Sequence, residues 1–407
     1  MSMMRDSIQN VKQHGYGSFR TDMFGRIKTS DAYTIFDSSH RYQRNADFSE
    51  TTESGGSVTY SANESTLNLN VNTTSGSKVT LESKKVFVYQ PGKSLQVLQS
   101  FIFAPAKANL KQRVGYFSRQ NGFYLEQDGI NVYLVKRSYV TGQIVETRVP
   151  QAEWNIDPLN GSGMSDLVLD LSKSQILFTE IEWLGVGSVR LGFAIDGYFI
   201  PVHQFNHANN ISTTYMTTAT LPVRYEIENT GITSSNSTLK QVCVSVVSNG
   251  GYQRETERWT ASRGSTGVST SYYPLVSIRL APGRTDAVIL PANIGLLPLA
   301  SGNFEWALMR DSVISDGTWT THSQNNVQYN INSTSFTTQG IIVREGFFAG
   351  SNQSTGSVEI NTGIDTFDLQ LGRTNADTPV SDILTLAAKS VSGSVNVLAA
   401  LQWFDLA

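Results

Sequence analysis

Side-chain alternation between residues 175 and 210 constrains this chain more than any other feature. The segment reads QILFTEIEWLGVGSVRLGFAIDGYFIPVHQFNHANN. On an extended strand Leu177, Ile181 and Trp183 point one way and Phe178, Glu180 and Glu182 the other, because successive side chains take opposite faces. In the next run Val189, Leu191, Phe193 and Ile195 share a face. Asp196-Gly197 then reverses the chain, since a two-residue type I′ turn needs positive φ at both positions. Tyr198 to Val202 returns beside it. A period of two is a sheet signal, so the segment predicts three antiparallel strands with one face buried.

The same period recurs along the chain. Thr66 to Asn72 alternates strictly, Val79 and Leu81 continue it, and Lys85 to Tyr89 is a β-branched and aromatic run closed by Pro91-Gly92. Leu95 to Phe103 is nearly continuously apolar. Gly122–Leu125 and Ile130–Val135 flank a second hairpin signal, Gln127-Asp128-Gly129. Leu167, Leu169 and Leu171 alternate, as do Leu221, Val223, Tyr225 and Ile227. Beyond residue 230, strands are expected at 242–247, 275–280, 287–290, 304–309, 341–343, 367–371 and 395–404, with one short helix at 382–388. The 407 residues exceed one ordinary core. Only 16% are charged; Ser, Thr, Asn and Gly suit strands joined by tight turns. The expected fold is all-β, with two β-sandwich or jelly-roll-like domains at 45–230 and 231–407, the first concanavalin-like. An extended arm over residues 1–44 precedes them. It holds aromatic and basic residues without sustained periodicity, including Tyr16, Phe19, Arg20, Phe24, Arg26, Tyr33 and Phe36.

Several function classes lose support at this stage. The net charge of −3 gives no reason to expect nucleic-acid binding by phosphate neutralisation. Lys12, Arg20, Arg26 and Lys28 are spread among aromatics, a pattern that favours docking on an acidic neighbouring subunit over nucleic-acid contact. The single cysteine, Cys243, cannot close an intrachain disulfide, and its alternating surroundings predict a buried thiol. No run approaches the roughly 20 apolar residues of a membrane helix, and MSMMRDSIQNVKQHGYGSFR lacks the apolar core of a signal peptide. The expectation is synthesis in the cytosol and no membrane insertion.

Three constellations carry chemistry. Glu180 and Glu182 share a strand face, as the acid and nucleophile of a retaining glycosidase can. Thr179-Glu180-Ile181-Glu182-Trp183-Leu184-Gly185 resembles the active-site strand of the laminarinase and xyloglucan-hydrolase group. That resemblance implies an acid/base at Glu182 and a nucleophile at position 178. Phe178 stands there, and a phenyl ring cannot attack an anomeric carbon. Glu180 and Glu182 are therefore expected on a polar, glycan-contacting face rather than in a catalytic pair. His203 and His207 have the i, i+4 spacing of a helical zinc site but strand and turn flanks. They are expected to hydrogen-bond at a strand end, on the same glycan-contacting face. Asp157, Asp166, Asp170 and Asp196 lack the spacing of a calcium loop. Structural calcium is the one cofactor that a lectin-like sandwich leaves open.

Further segments carry a wider resemblance. They include Phe24-Gly25-Arg26-Ile27, Tyr33-Thr34-Ile35-Phe36-Asp37-Ser38, Tyr89-Gln90-Pro91-Gly92-Lys93-Ser94 and Arg113-Val114-Gly115-Tyr116-Phe117. Glu182-Trp183-Leu184-Gly185-Val186-Gly187, Phe205-Asn206-His207-Ala208-Asn209 and Leu221-Pro222-Val223-Arg224-Tyr225-Glu226 belong with them, as does Ser381-Asp382-Ile383-Leu384-Thr385-Leu386-Ala387-Ala388. Together these segments resemble a group of structural proteins of marine tailed bacteriophages, including cyanophages. The resemblance is densest between about 20 and 230. It implies a non-enzymatic virion component, described in that group as tail-fibre or head-associated. Its partners would be other virion proteins, further copies of the chain (a trimer by analogy) and a host-surface glycan. Residues 1–44 would anchor it. The alternatives are a capsid decoration or cement protein and a virion-borne glycan depolymerase.

Overall fold

A computed structural model of the chain describes residues 31–253, 256–299, 302–350, 356–359 and 364–406. The architecture is all-β. In the first half an eight-stranded sheet runs in the order Tyr198–Phe205, Val189–Ile195, Gln175–Ile181, Ser94–Ile102, Ser237–Asn249, Thr66–Val71, Ser57–Ser61. Its eighth strand, Ala32–Ser38, pairs with the far half of Ser237–Asn249. A seven-stranded sheet packs against it, in the order Val145–Pro150, Asn131–Ser138, Gly122–Asp128, Leu110–Phe117, Val223–Asn229, Lys78–Ser83, Phe48–Glu53. Every pairing in both sheets is antiparallel. The two inner faces meet in one apolar core that includes Val97, Phe101, Leu191, Phe193, Val114, Tyr116 and Tyr225. This is an antiparallel β-sandwich of the jelly-roll-like kind that the alternation predicts. Asp196 and Gly197 take φ of 51° and 81°, the geometry that the hairpin turn requires.

The second half builds another sandwich. A four-stranded sheet (Arg258–Val268, Val395–Asp405, Ile289–Pro298, Gly356–Glu359) faces a six-stranded one (Thr320–Thr321, Val327–Asn330, Tyr273–Leu280, Leu384–Ser390, Gly302–Arg310, Ile341–Gly350). Trp403, Phe304, Ile294 and Leu386 fill its core.

Several expectations are corrected here. Residues 32–38 are not part of a separate arm. They form a strand of the first sandwich, in which Phe36 is buried against Phe48 and Phe87, and Tyr33 packs on Tyr252 and Phe367. The apolar faces of 33–38 supply the reason: they complete a sheet edge that would otherwise expose residues 244–249. Tyr16, Phe19, Arg20, Phe24 and Arg26 lie outside the described residues. Strand Ser237–Asn249 sits inside the eight-stranded sheet, so the first sandwich draws on chain beyond residue 230. Leu384–Ser390 is a strand rather than a helix. Leu384, Leu386 and Ala388 enter the sandwich core, whereas Ala387 belongs to a separate cluster on the opposite face, the period of two that sheets impose. Ile364–Leu369 is a 3-10 turn, so only part of the 367–371 expectation is extended. Cys243 is exposed. A bulge between Gln241 and Val244 shifts the alternation and turns the thiol outward.

The two sandwiches are joined across a broad polar and apolar contact. Arg373 Nη2 meets Glu82 Oε1 at 3.0 Å, and its backbone N–H donates to the Lys84 carbonyl at 2.9 Å. Gln370 Nε2 donates to the Val86 carbonyl at 2.8 Å, and Arg310 Nη1 meets Asp47 Oδ1 at 3.1 Å. Val288, Leu290 and Phe367 belong to the first sandwich's core.

Candidate functional site

The outer face of the eight-stranded sheet gathers the polar residues that the sequence singles out. Glu180 lies directly across from Arg190 on one neighbouring strand and from Gln96 on the other. Arg190 Nε donates to Glu180 Oε2 at 2.8 Å, with Nη2 on the same oxygen. Gln96 Nε2 donates to Glu180 Oε1 at 3.1 Å. Both carboxylate oxygens are therefore engaged within the sheet. Gln204, opposite Arg190, extends the row.

One register step along, Phe178 occupies the position a nucleophile would need. It is buried, with Phe199 edge-on at 5.2 Å. Gly192 sits opposite it, and a Cβ there would fall 2.5 Å from the Phe178 ring. The missing side chain lets the ring lie across the neighbouring strand. Phe199 itself is 53% exposed. The face thus offers an exposed aromatic beside an amide and an ion pair. Glu182 is exposed just beyond the end of Gln175–Ile181, in the turn closed by Val186 and Gly187 N–H groups donating to the Trp183 carbonyl.

The two histidines do not share this surface. The bulge between Leu191 and Gly192 lets Val202 intrude, so His203 pairs with Leu191 and faces inward. His203 is buried, packs edge-on against Phe205 at 4.5 Å, and accepts the Asn155 N–H at Nδ1, 3.2 Å. Burial pushes its pKa down to about 4. His207 is also buried, stacked on Tyr215 at 3.8 Å, with Nδ1 2.7 Å from the Gly187 carbonyl. The His207 ring holds the base of the 182–188 turn. Among the described residues no three His, Cys, Asp or Glu side chains gather as metal ligands. Asp157 spends its oxygens on the Leu159 and Ser165 N–H groups, and Asp170 on Ser172.

Sequence reasoning missed a row of buried charges on the outer face of the seven-stranded sheet. Arg113 stands between Glu126 and Glu226, each directly across from it. Arg113 Nε reaches Glu126 Oε2 at 2.7 Å and Nη1 contacts Glu226. Arg224 bridges Glu226 and Glu82 at 2.7 and 3.1 Å, and Arg373 of the second sandwich closes the row on Glu82. Burial alone would raise the Glu226 carboxyl; the Arg224 and Arg113 guanidiniums outweigh it and hold the group below the usual carboxylate range. The available signal was alternation of Arg and Glu within predicted strands, as in Arg224-Tyr225-Glu226.

No protein-family model matches the chain. No curated protein matches it either. Among solved structures, a Bacillus licheniformis beta-glucanase is 12% identical, with a TM-score of 0.33 over 54% of this chain and 99% of that one. The carbohydrate recognition domain of Emp47p is 10% identical, TM-score 0.35, over 57% and 100%. The CBM2 module of the evolved Dit of Lactobacillus casei BL23 phage J-1 is 6% identical, TM-score 0.34, over 56% and 100%.

Proposed function

We propose that the chain is a non-enzymatic structural protein of a bacteriophage virion, an appendage subunit associated with the tail, baseplate or fibre. It joins other virion subunits through the segment that precedes Ala32 and contacts host-surface glycans through exposed sheet faces. The resemblance of several sequence segments to phage structural proteins supports this reading. The observation that carries it is the joint between the sandwiches, where Arg373, Gln370 and Arg310 tie the second to Glu82, Val86 and Asp47 of the first. A subunit whose two sandwiches are tied by these contacts suits a particle appendage. A depolymerase centred on Glu182 has less support, because Phe178 stands in the nucleophile's place and Glu180 is bound to Arg190 and Gln96.

Deletion of residues 1–30 tests the reading. The truncated chain should fold and fail to enter particles. Normal incorporation would refute the anchoring role. Copy number separates an appendage from a capsid decoration protein, which would occur on the scale of the capsid lattice.

A further inference from the structure

The outer face of the six-stranded sheet in the second sandwich carries an open cleft of about 440 Å³. Ligand sites commonly span a few hundred to about a thousand Å³. Tyr272, Tyr273 and Phe336 supply its aromatic surface; Ser271, Thr337 and Gln339 supply hydroxyls and an amide. Tyr272 and Phe336 rest on Ala307, Met309 and Ala387, small or flexible side chains that leave room above the sheet.

Tyr272 is fixed before any ligand arrives. Its hydroxyl donates to Glu305 Oε1, and Lys389 Nζ lies 3.1 Å from the same oxygen and 4.4 Å from the centre of the Tyr272 ring. Arg263 is equally committed. It donates to the Pro274 carbonyl at 2.8 Å, to the Ser333 carbonyl at 2.6 Å and to the Tyr273 hydroxyl at 3.1 Å. Beside the cleft, Lys389 and Glu305 thus neutralise each other, and the Arg263 guanidinium is committed to carbonyl and hydroxyl oxygens of the protein. What faces outward is aromatic ring, hydroxyl and amide. Such a surface stacks on the C–H face of a pyranose and exchanges hydrogen bonds with its hydroxyls, and it offers no spare cation to a phosphate or carboxylate.

We infer that this cleft binds a neutral oligosaccharide chain. The inference rests on the glycan-contact part of the reading above, and the two fail separately.

The test is titration of the full chain with cellohexaose, laminarihexaose and maltohexaose, with a polygalacturonate hexamer as the anionic comparator. At least one neutral hexasaccharide should bind saturably at up to millimolar concentration, and more tightly than the anionic one. Thr337→Trp, an exposed substitution that fills the cleft, should weaken binding by roughly tenfold or more without lowering the melting temperature. Tyr272→Phe keeps the ring and should weaken binding several-fold. Phe199→Ala, on the first sandwich, should leave it unchanged. Binding that survives Thr337→Trp but is lost in Phe199→Ala would overturn the cleft and retain glycan contact. No binding of any neutral probe, or preference for the anionic one, would overturn the inference. Neither result would touch incorporation into particles, which the 1–30 deletion reads independently.

Discussion

Cys243 shows how one extra residue redirects a side chain. The bulge at 241–244 places Gln241 and Val244 inward and leaves the thiol outside. Partial burial pushes the thiol pKa up, so the reactive thiolate becomes common only in alkali. Native protein should therefore react with a thiol reagent, faster as pH rises; protection until unfolding would contradict the exposed placement. His203 shows the same effect in reverse. Glu180 was legible as an outward residue because Gln175–Ile181 runs unbroken between its neighbours. The histidines were not, because a bulge across the hairpin inverts parity midway through Tyr198–Phe205. The His203 pKa falls from 6.5 to about 4 in the folded state. The unfolded chain then binds more protons in that interval, so His203 costs stability as pH falls from about 6.5 to about 4. His203→Gln should flatten the acid limb of a stability–pH profile. An unchanged limb would contradict the buried, neutral ring.

At the scale of elements, the strand Ala32–Ser38 decides what can be cut away. Deleting residues 1–44 removes Phe36 from the core and strips 244–249 of their pairing on one side. Phe36→Ala alone should cost about 3–5 kcal/mol in denaturant titration, and deletion of 1–44 should cost more than deletion of 1–30. Equal stability of the two deletions would place 32–38 outside the fold. The strand was hard to read because its alternation is short and sits beside an aperiodic stretch. Leu384–Ser390 was misread for a related reason: Ile383-Leu384-Thr385-Leu386-Ala387-Ala388 suits helix by residue type, and only the sheet environment enforces its period of two. Just ahead of it, Asp382 is pushed up to about 7, chiefly by burial and then by Asp311, with Lys84 and Arg310 opposing. The folded state keeps a proton that the unfolded chain releases near pH 3.8. This group therefore stabilises the fold in acid, and the contribution is lost as pH rises through about 7. Asp382→Asn should remove that decline; persistence of the full decline would show that another group causes it.

For the molecule as a whole, the joint between the sandwiches is the property that matters most. The all-β class followed from alternation and turn residues, which are local signals. The joint did not, because Arg373 and Glu82 are far apart in sequence and become partners only when both sandwiches exist. Arg373→Ala leaves Glu82 buried against Arg224 alone and should cost about 3–5 kcal/mol. The unaltered chain should unfold in one calorimetric transition and Arg373→Ala should split it in two; a single unshifted transition in the variant would contradict the coupling. The proposed virion role is tested most directly by quantitative mass spectrometry of phage particles purified from the cells that produce the chain. The chain should be present at a fixed stoichiometry of a few to a few tens of copies per particle, and its absence from washed, infectious particles would contradict that role.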